Sequence, residues 1–266
     1  MLVLVMRTLL LLILSMFSPL QSQETGHATA ELWLAPPRIE KGKPTRIPAA
    51  IRMVYEKGWH GYWVNPGEAG MKTEVTWKLP AGLTVGELQF PPPKREMTGE
   101  LACYGYVGEV LLPVLFTVTG ALPKEGDIEA TVSWLACDEK GCASGETTVK
   151  AKVASATDAS HAPEVAAAFA SLPEGDEKLK LHVTEADGWV TLLVTGAEHR
   201  DLQGGEIFPV TEQALDPREP ILLQKNAQGY SARVKKNEYA PSALTQLSLV
   251  IVPKPPSQAL AVEWKK

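Results

Sequence analysis

The chain of 266 residues carries 26 Lys and Arg against 31 Asp and Glu, for a net charge of −5, and 45% of its residues are apolar. That apolar content excludes disorder and suffices for one large or two modest domains. The charges are interspersed rather than blocked, which argues against a nucleic-acid or anionic-membrane surface.

At the N-terminus, Arg7 precedes the apolar run Leu9-Leu-Leu-Leu-Ile-Leu, followed by Ser18-Pro-Leu-Gln-Ser. One positive charge, a short apolar core and then small, turn-forming residues read as a secretory signal peptide over residues 1–22, with Ser22 the expected last residue and Ala30 the second choice. An uncleaved anchor is the alternative, but the run falls short of the roughly 20 residues that a bilayer span needs. No cysteine follows the apolar core, which argues against a lipid anchor. The expected address is outside the cytoplasm, with no membrane span in the mature chain.

The chain then reads as strands bounded by Pro and Gly: Ala30-Glu-Leu-Trp-Leu-Ala, Arg46 to Tyr55, Thr73 to Leu79, Val110 to Val118 and Ile128 to Leu135, closed by the alternating Thr147 to Val153. Alternation with turn residues between the strands suits two packed sheets. A composition shift over residues 154–175 marks a linker with one short helix, Pro163 to Leu172, which has Pro in its first turn. Six further strands follow: Lys180 to Thr184, Trp189 to Val194, Ile221 to Gln224, Tyr230 to Val234, Leu247 to Val252 and Ala259 to Trp264. The expectation is an all-β chain of two sandwiches, over 23–153 and 176–266. The second has no cysteine, and its His182 and His199 lie apart, so no chemistry is assigned to it.

The chemistry-bearing residues are Cys137 and Cys142, in Trp134-Leu-Ala-Cys-Asp-Glu-Lys-Gly-Cys-Ala-Ser. In a secreted chain such a pair is a redox centre or a structural hairpin disulfide, and three cysteines leave at least one thiol over. A bridge this short removes little unfolded-state entropy, roughly 2 kcal/mol, against about 4 for a bridge to Cys103. A zinc site would need two more ligands at suitable spacing, which are missing. Nothing in the sequence activates the thiols: no helix starts at Cys142, and Asp138 and Glu139 disfavour thiolate while Lys140 partly offsets them. The pair reads as a carrier that exchanges when a more reactive partner cysteine attacks it.

Gly58-Trp-His-Gly-Tyr-Trp-Val-Asn-Pro-Gly-Glu-Ala-Gly, Trp77-Lys-Leu-Pro-Ala-Gly, Tyr104-Gly-Tyr-Val-Gly-Glu-Val-Leu-Leu-Pro-Val and Trp134-Leu-Ala-Cys together resemble the N-terminal periplasmic region of DsbD-like and ScsB-like thiol:disulfide interchange proteins. The resemblance covers about residues 30–153 and more loosely the second domain, through Ile207-Phe-Pro and the Gln224 to Val234 stretch. It implies an immunoglobulin-like sandwich for the first domain, so that with the second set of strands the full expectation is two immunoglobulin-like sandwiches. It also implies a Cys137/Cys142 dithiol passing electrons between a membrane reductase of the DsbD or CcdA type and thioredoxin-like periplasmic proteins, without a cofactor. Two features depart from the family's pattern: four residues separate the cysteines, and Ala143-Ser144 stands where a proline is usual. The chain also ends without the membrane channel and C-terminal thioredoxin domain of complete DsbD, so it reads as a free-standing module or half of a split system. The competing reading is a non-catalytic binding or scaffold module with a structural disulfide.

Tyr104 and Tyr106 fall where the resemblance implies a cap loop shielding the dithiol, although ordinary core packing suits them equally. Cys103 reads as a buried free thiol. Trp59, His60, Tyr62 and Trp63 suit either a docking patch or a core with alternate residues inward, and His60 has no evident partner as a metal ligand or base. Asn65-Pro66-Gly67 reads as a turn and Glu68 as solvated. Met71 and Met97 with Cys103 are soft donors that copper would accept, a thought prompted by the copper tolerance associated with ScsB-like proteins.

Overall fold

The computed structural model describes residues 26–120, 123, 126–254 and 257–266, so the signal-peptide expectation lies outside the described residues. In chain order the first unit contains β1 (Ala28–Leu34), β2 (Arg46–Tyr55), β3 (His60–Gly67), β4 (Glu74–Lys78), β5 (Leu83–Val85), β6 (Lys94–Thr98), β7 (Leu101–Val107), β8 (Glu109–Val118), β9 (Asp127–Cys137) and β10 (Cys142–Lys152). They build a four-stranded sheet, β1-β2-β8-β5, facing a six-stranded one, β10-β9-β3-β7-β6, in which β4 also pairs with β9.

Strand β9 shows why the chain folds this way. Ile128, Ala130, Val132, Trp134 and Ala136 all point into the core, while Glu129, Thr131, Ser133 and Leu135 take the other face. This period of two forces one face inward. Trp134 donates its indole N–H to the Gly26 carbonyl (2.9 Å), which ties the start of the described chain to the sandwich. Gly145 lies directly over this indole, where a Cβ would come within 2.4 Å of the ring.

Beyond a 3-10 turn at Val153–Thr157, helix α1 (Ala162–Ala170) buries Val165 and Ala168, and Val165 packs with Ala35 and Ala50 of the first unit. The second unit comprises β11 (Glu174–Gly175), β12 (Lys180–Ala186), β13 (Trp189–Thr195), β14 (Glu206–Pro209), β15 (Ile221–Leu222), β16 (Gln224–Asn226), β17 (Gly229–Lys235), β18 (Gln246–Val252) and β19 (Leu260–Lys265). Its sheets run β11-β19-β18-β14-β15 and β12-β13-β17-β16, around a core that includes Leu192, Leu202, Ile207, Leu247 and Ile251. The chain is all-β with a single α-helix among the described residues, in two immunoglobulin-like sandwiches.

The two units share a core. Ile207 faces its own sandwich, whereas Phe208, the next residue, turns outward and sits edge-to-face on Trp63 (6.3 Å between centroids) and Tyr104 (5.5 Å). Val250 and Ala259 join it there. Polar contacts rim this seam. Asn65 donates to the Pro209 carbonyl (2.7 Å), and Arg95 donates to the carbonyls of Pro217 and Glu219 while lying over the Tyr104 ring.

Candidate redox site

Cys137 ends β9 and Cys142 begins β10, directly opposite one another in the last register pair of an eleven-pair antiparallel hairpin. Their Cα atoms are 4.1 Å apart and the two sulfurs are bonded. Four residues close the hairpin, and the Asp138 carboxylate organises them by accepting the backbone N–H groups of Lys140 (2.7 Å) and Gly141 (2.9 Å). These bonds hold its pKa below the ordinary carboxylate value, the Lys140 amide foremost. A charged Asp138 therefore stands beside the pair, as the sequence suggested, and β10 runs on as a strand with no helix terminus to favour thiolate.

The sheet's alternation decides which face the disulfide occupies. Ala136 and Trp134 point into the sandwich, so Cys137 and Leu135 lie on the outer face, together with Cys142 and Ser144 opposite them. The two sulfurs are not equivalent. Cys142 is exposed, whereas Cys137 is fully buried in a small cluster with Tyr62 and Cys103, against which Ala69 and Leu135 pack.

Strand β3 supplies the floor beside the pair. His60 stands opposite Cys137 in the β3–β9 register, and its Nε2 lies 3.0 Å from the Thr98 hydroxyl, which is also 2.9 Å from the Tyr62 hydroxyl. Burial lowers the His60 pKa, with Asp138 opposing that shift, so the ring is neutral at pH 7. Burial pushes the Tyr62 phenol up to about 12. Cys103 is the free thiol, buried, with its Sγ at 3.5 Å from the carbonyls of Ala69 and Leu101. Asp138 thus stands charged beside the pair, with Lys140 in the same turn partly offsetting it, and no helix terminus adds to the activation of either sulfur.

The candidate cap residues lie elsewhere. Tyr104 and Tyr106 belong to β7 positions that face the main core, Tyr104 against Trp63 and Phe208, and Tyr106 with its hydroxyl donated to the Pro91 carbonyl (2.6 Å). Side chains on the inner face cannot cover a disulfide on the outer one. What packs around buried Cys137 is instead Tyr62 and the segment after β3: Ala69 packs on the cluster, and Gly70 lies so close to the Tyr62 ring that a Cβ there would meet it at 2.2 Å. Glu68, expected to be solvated, is fastened to β7. Its carboxylate accepts the Ala102 N–H (2.7 Å) and its own N–H donates to the Ala102 carbonyl (2.9 Å).

Of the aromatic patch, Trp63 and Tyr62 are core and Trp59 is half-buried, stacked on His27 at 3.6 Å. Asn65-Pro66-Gly67 is the bulged end of β3 rather than a free turn. No group of three or more His, Cys, Asp or Glu arranged for a metal ion is present among the described residues. Met71 and Met97 are exposed while Cys103 is buried, so the geometry does not assemble them as a copper site. In the second unit, His182 pairs with Thr195 and His199 with Asp176.

Residues 34–154 match the family model for the N-terminal domain of the thiol:disulfide interchange protein DsbD. This part of the chain is a DsbD-like N-terminal domain. The fold likeness extends further, because the crystal structure of the N-terminal periplasmic domain of ScsB from Proteus mirabilis superposes with a TM-score of 0.64 at 16% identity, covering 90% of this chain and 91% of that one. Both sandwiches therefore have a counterpart in the ScsB fold. The major pilin subunit BcpA of Bacillus cereus aligns over 90% of this chain and 66% of its own at 11% identity, but its TM-score of 0.28 carries no argument. Comparison with curated proteins gives no match.

Proposed function

We propose that the protein is a periplasmic thiol:disulfide interchange module whose Cys137/Cys142 pair passes two electrons at a time between a membrane reductase of the DsbD or CcdA type and thioredoxin-like clients. The observation that carries this reading is the asymmetric disulfide on the outer face of a DsbD-like domain, with Cys142 exposed and Cys137 buried. In the oxidised protein, a partner thiolate bonds to the Cys142 sulfur, the Cys137–Cys142 bond breaks, and the electron pair departs on Cys137. A second thiolate of the partner then attacks the mixed disulfide, which releases Cys142 and leaves this protein reduced and the partner oxidised. In the other direction, Cys142 as thiolate opens a client's disulfide and Cys137 resolves the mixed species. Each step exchanges one S–S bond for another and needs no cofactor.

Residues 23–153 would form the exchanging module, 154–175 the linker and 176–266 the second sandwich, behind a signal peptide at 1–22. No helix among the described residues is long and apolar enough to cross a membrane.

The test is a trapping experiment. A thioredoxin-like protein of the same organism, with its resolving cysteine removed, should form a mixed disulfide mapped to Cys142 by mass spectrometry. Exchange no faster than with glutathione, together with a reduction potential below about −300 mV, would identify a structural bridge and favour the scaffold reading.

A further inference from the structure

The buried amide of Asn65 connects two parts of the molecule that the exchange chemistry leaves unexplained. It is only 4% exposed. Its Nδ2 donates to the Pro209 carbonyl of the second sandwich (2.7 Å), and its Oδ1 accepts the N–H of Gly67 (3.0 Å) at the point where β3 ends. Gly67 has φ of +90°, and a Cβ there would meet the Ala102 carbonyl at 2.6 Å, so this bend is set by a glycine and closed by Asn65. The chain leaving the bend is the segment that packs on Tyr62 and on the Cys103/Cys137 cluster. Arg218 of the second sandwich, 4.0 Å from the Glu68 carboxylate, approaches the same segment from outside.

We infer that Asn65 is a positioning residue through which the second sandwich holds residues 67–70 closed over Tyr62, and that this closure sets how readily the Cys137/Cys142 bond exchanges. The inference rests on that bond being the exchanging one. The physical link is the leaving group. When a thiolate attacks Cys142, the electron pair departs on Cys137, which is fully buried in the cluster with Tyr62 and Cys103 while Ala69 packs against it. Departure of a charged sulfur into such a site is disfavoured, and loosening the segment admits water and speeds the step. The second sandwich thereby acts on the chemistry without contributing a residue to it.

The experiment measures reduction of the intact protein's disulfide by dithiothreitol, with thiols trapped by alkylation and counted by mass. Asn65→Ala removes both hydrogen bonds, and reduction should be about tenfold faster, corresponding to the loss of roughly one buried hydrogen bond's net stabilisation from the closed form. Asn65→Asp retains an acceptor for the Gly67 N–H but has no donor for Pro209, so it isolates the second sandwich's share and should also accelerate reduction. Gly70→Ala drives a methyl into the Tyr62 ring and should do the same with the interdomain seam untouched. Should Asn65→Ala fail to fold, the Asp and Gly70 variants carry the test. Wild-type rates in folded Asn65→Asp, or acceleration confined to Asn65→Ala, would overturn the role of the second sandwich; a wild-type rate in Gly70→Ala would overturn the cover. Because dithiothreitol is the reductant, failure of thioredoxin-like proteins to exchange would sink the relay and leave this measurement standing.

Discussion

Replacing Cys137 and Cys142 together with alanine separates a redox pair from a structural staple. The bridge spans five positions in sequence, so on the chain-entropy model it restrains the unfolded chain by only about 2 kcal/mol. The hairpin that it ends is held without it, by the rest of an eleven-pair register and by the Asp138 turn. Loss of the Cys137 sulfur from its packing against Tyr62 and Leu135 adds about 1 kcal/mol. The total, about 3 kcal/mol, lies below the roughly 5–15 kcal/mol typical of a folded domain, so the double mutant should fold. For a chain of this size its Tm should fall by about 6–12 °C. The reduced wild-type protein retains both sulfurs and loses only the entropic part, so its Tm should fall by about 4–8 °C. Differential scanning calorimetry of the oxidised, reduced and mutant proteins reads all three values, and circular dichroism at 25 °C reports folding. Alkylation before and after denaturation provides the control, since buried Cys103 should label only once the chain unfolds. A double mutant unfolded at 25 °C would refute the reasoning and make the bridge a structural requirement.

Replacing Tyr104 and Tyr106 with alanine should not unmask the disulfide; each truncation removes a buried core ring and should cost about 3–5 kcal/mol in urea denaturation. Losses below about 1 kcal/mol would contradict their placement in the core. Glu206→Gln should stabilise the protein at pH 7 by up to about 1 kcal/mol, because the carboxylate is pressed into the seam, its Oε1 has no hydrogen-bond partner among the described residues, and Arg95 approaches it only to 3.9 Å, too far for a hydrogen bond to offset the burial. Burial raises the Glu206 pKa above 4.5, so the native state keeps a proton that the unfolded chain releases, and wild-type stability falls as pH rises from about 4.5 through the native value. The advantage of Gln should therefore vanish below pH 4.5; an advantage independent of pH would refute the ionisation argument.

Strands such as β9 are legible in the sequence because burial of one face imposes a period of two on the residues, and Ile128 to Ala136 display it openly. The Cys137/Cys142 pair is legible for a related reason: four residues between cysteines at the end of an alternating run leave little choice but a hairpin. Strand β14 is not legible in the same way, since Glu206-Ile-Phe-Pro is short and buried on both faces, Ile207 against its own core and Phe208 against the neighbouring sandwich. Asn65-Pro66-Gly67 carries the composition of a turn, and only the bulge against β7 and the carbonyl of Pro209, 144 positions away, turn Asn65 into an interdomain joint. The same holds for the cover: Tyr104 and Tyr62 are both tyrosines beside glycines, and nothing local says which faces the disulfide. A strand's facing is settled by register with its neighbours, and a register slip of one residue would exchange the two faces. The sequence by itself therefore determines the sandwiches and the cysteine pair, whereas which sulfur is buried, and which residues shield it, are decided only when distant strands pair and the second domain closes on the first.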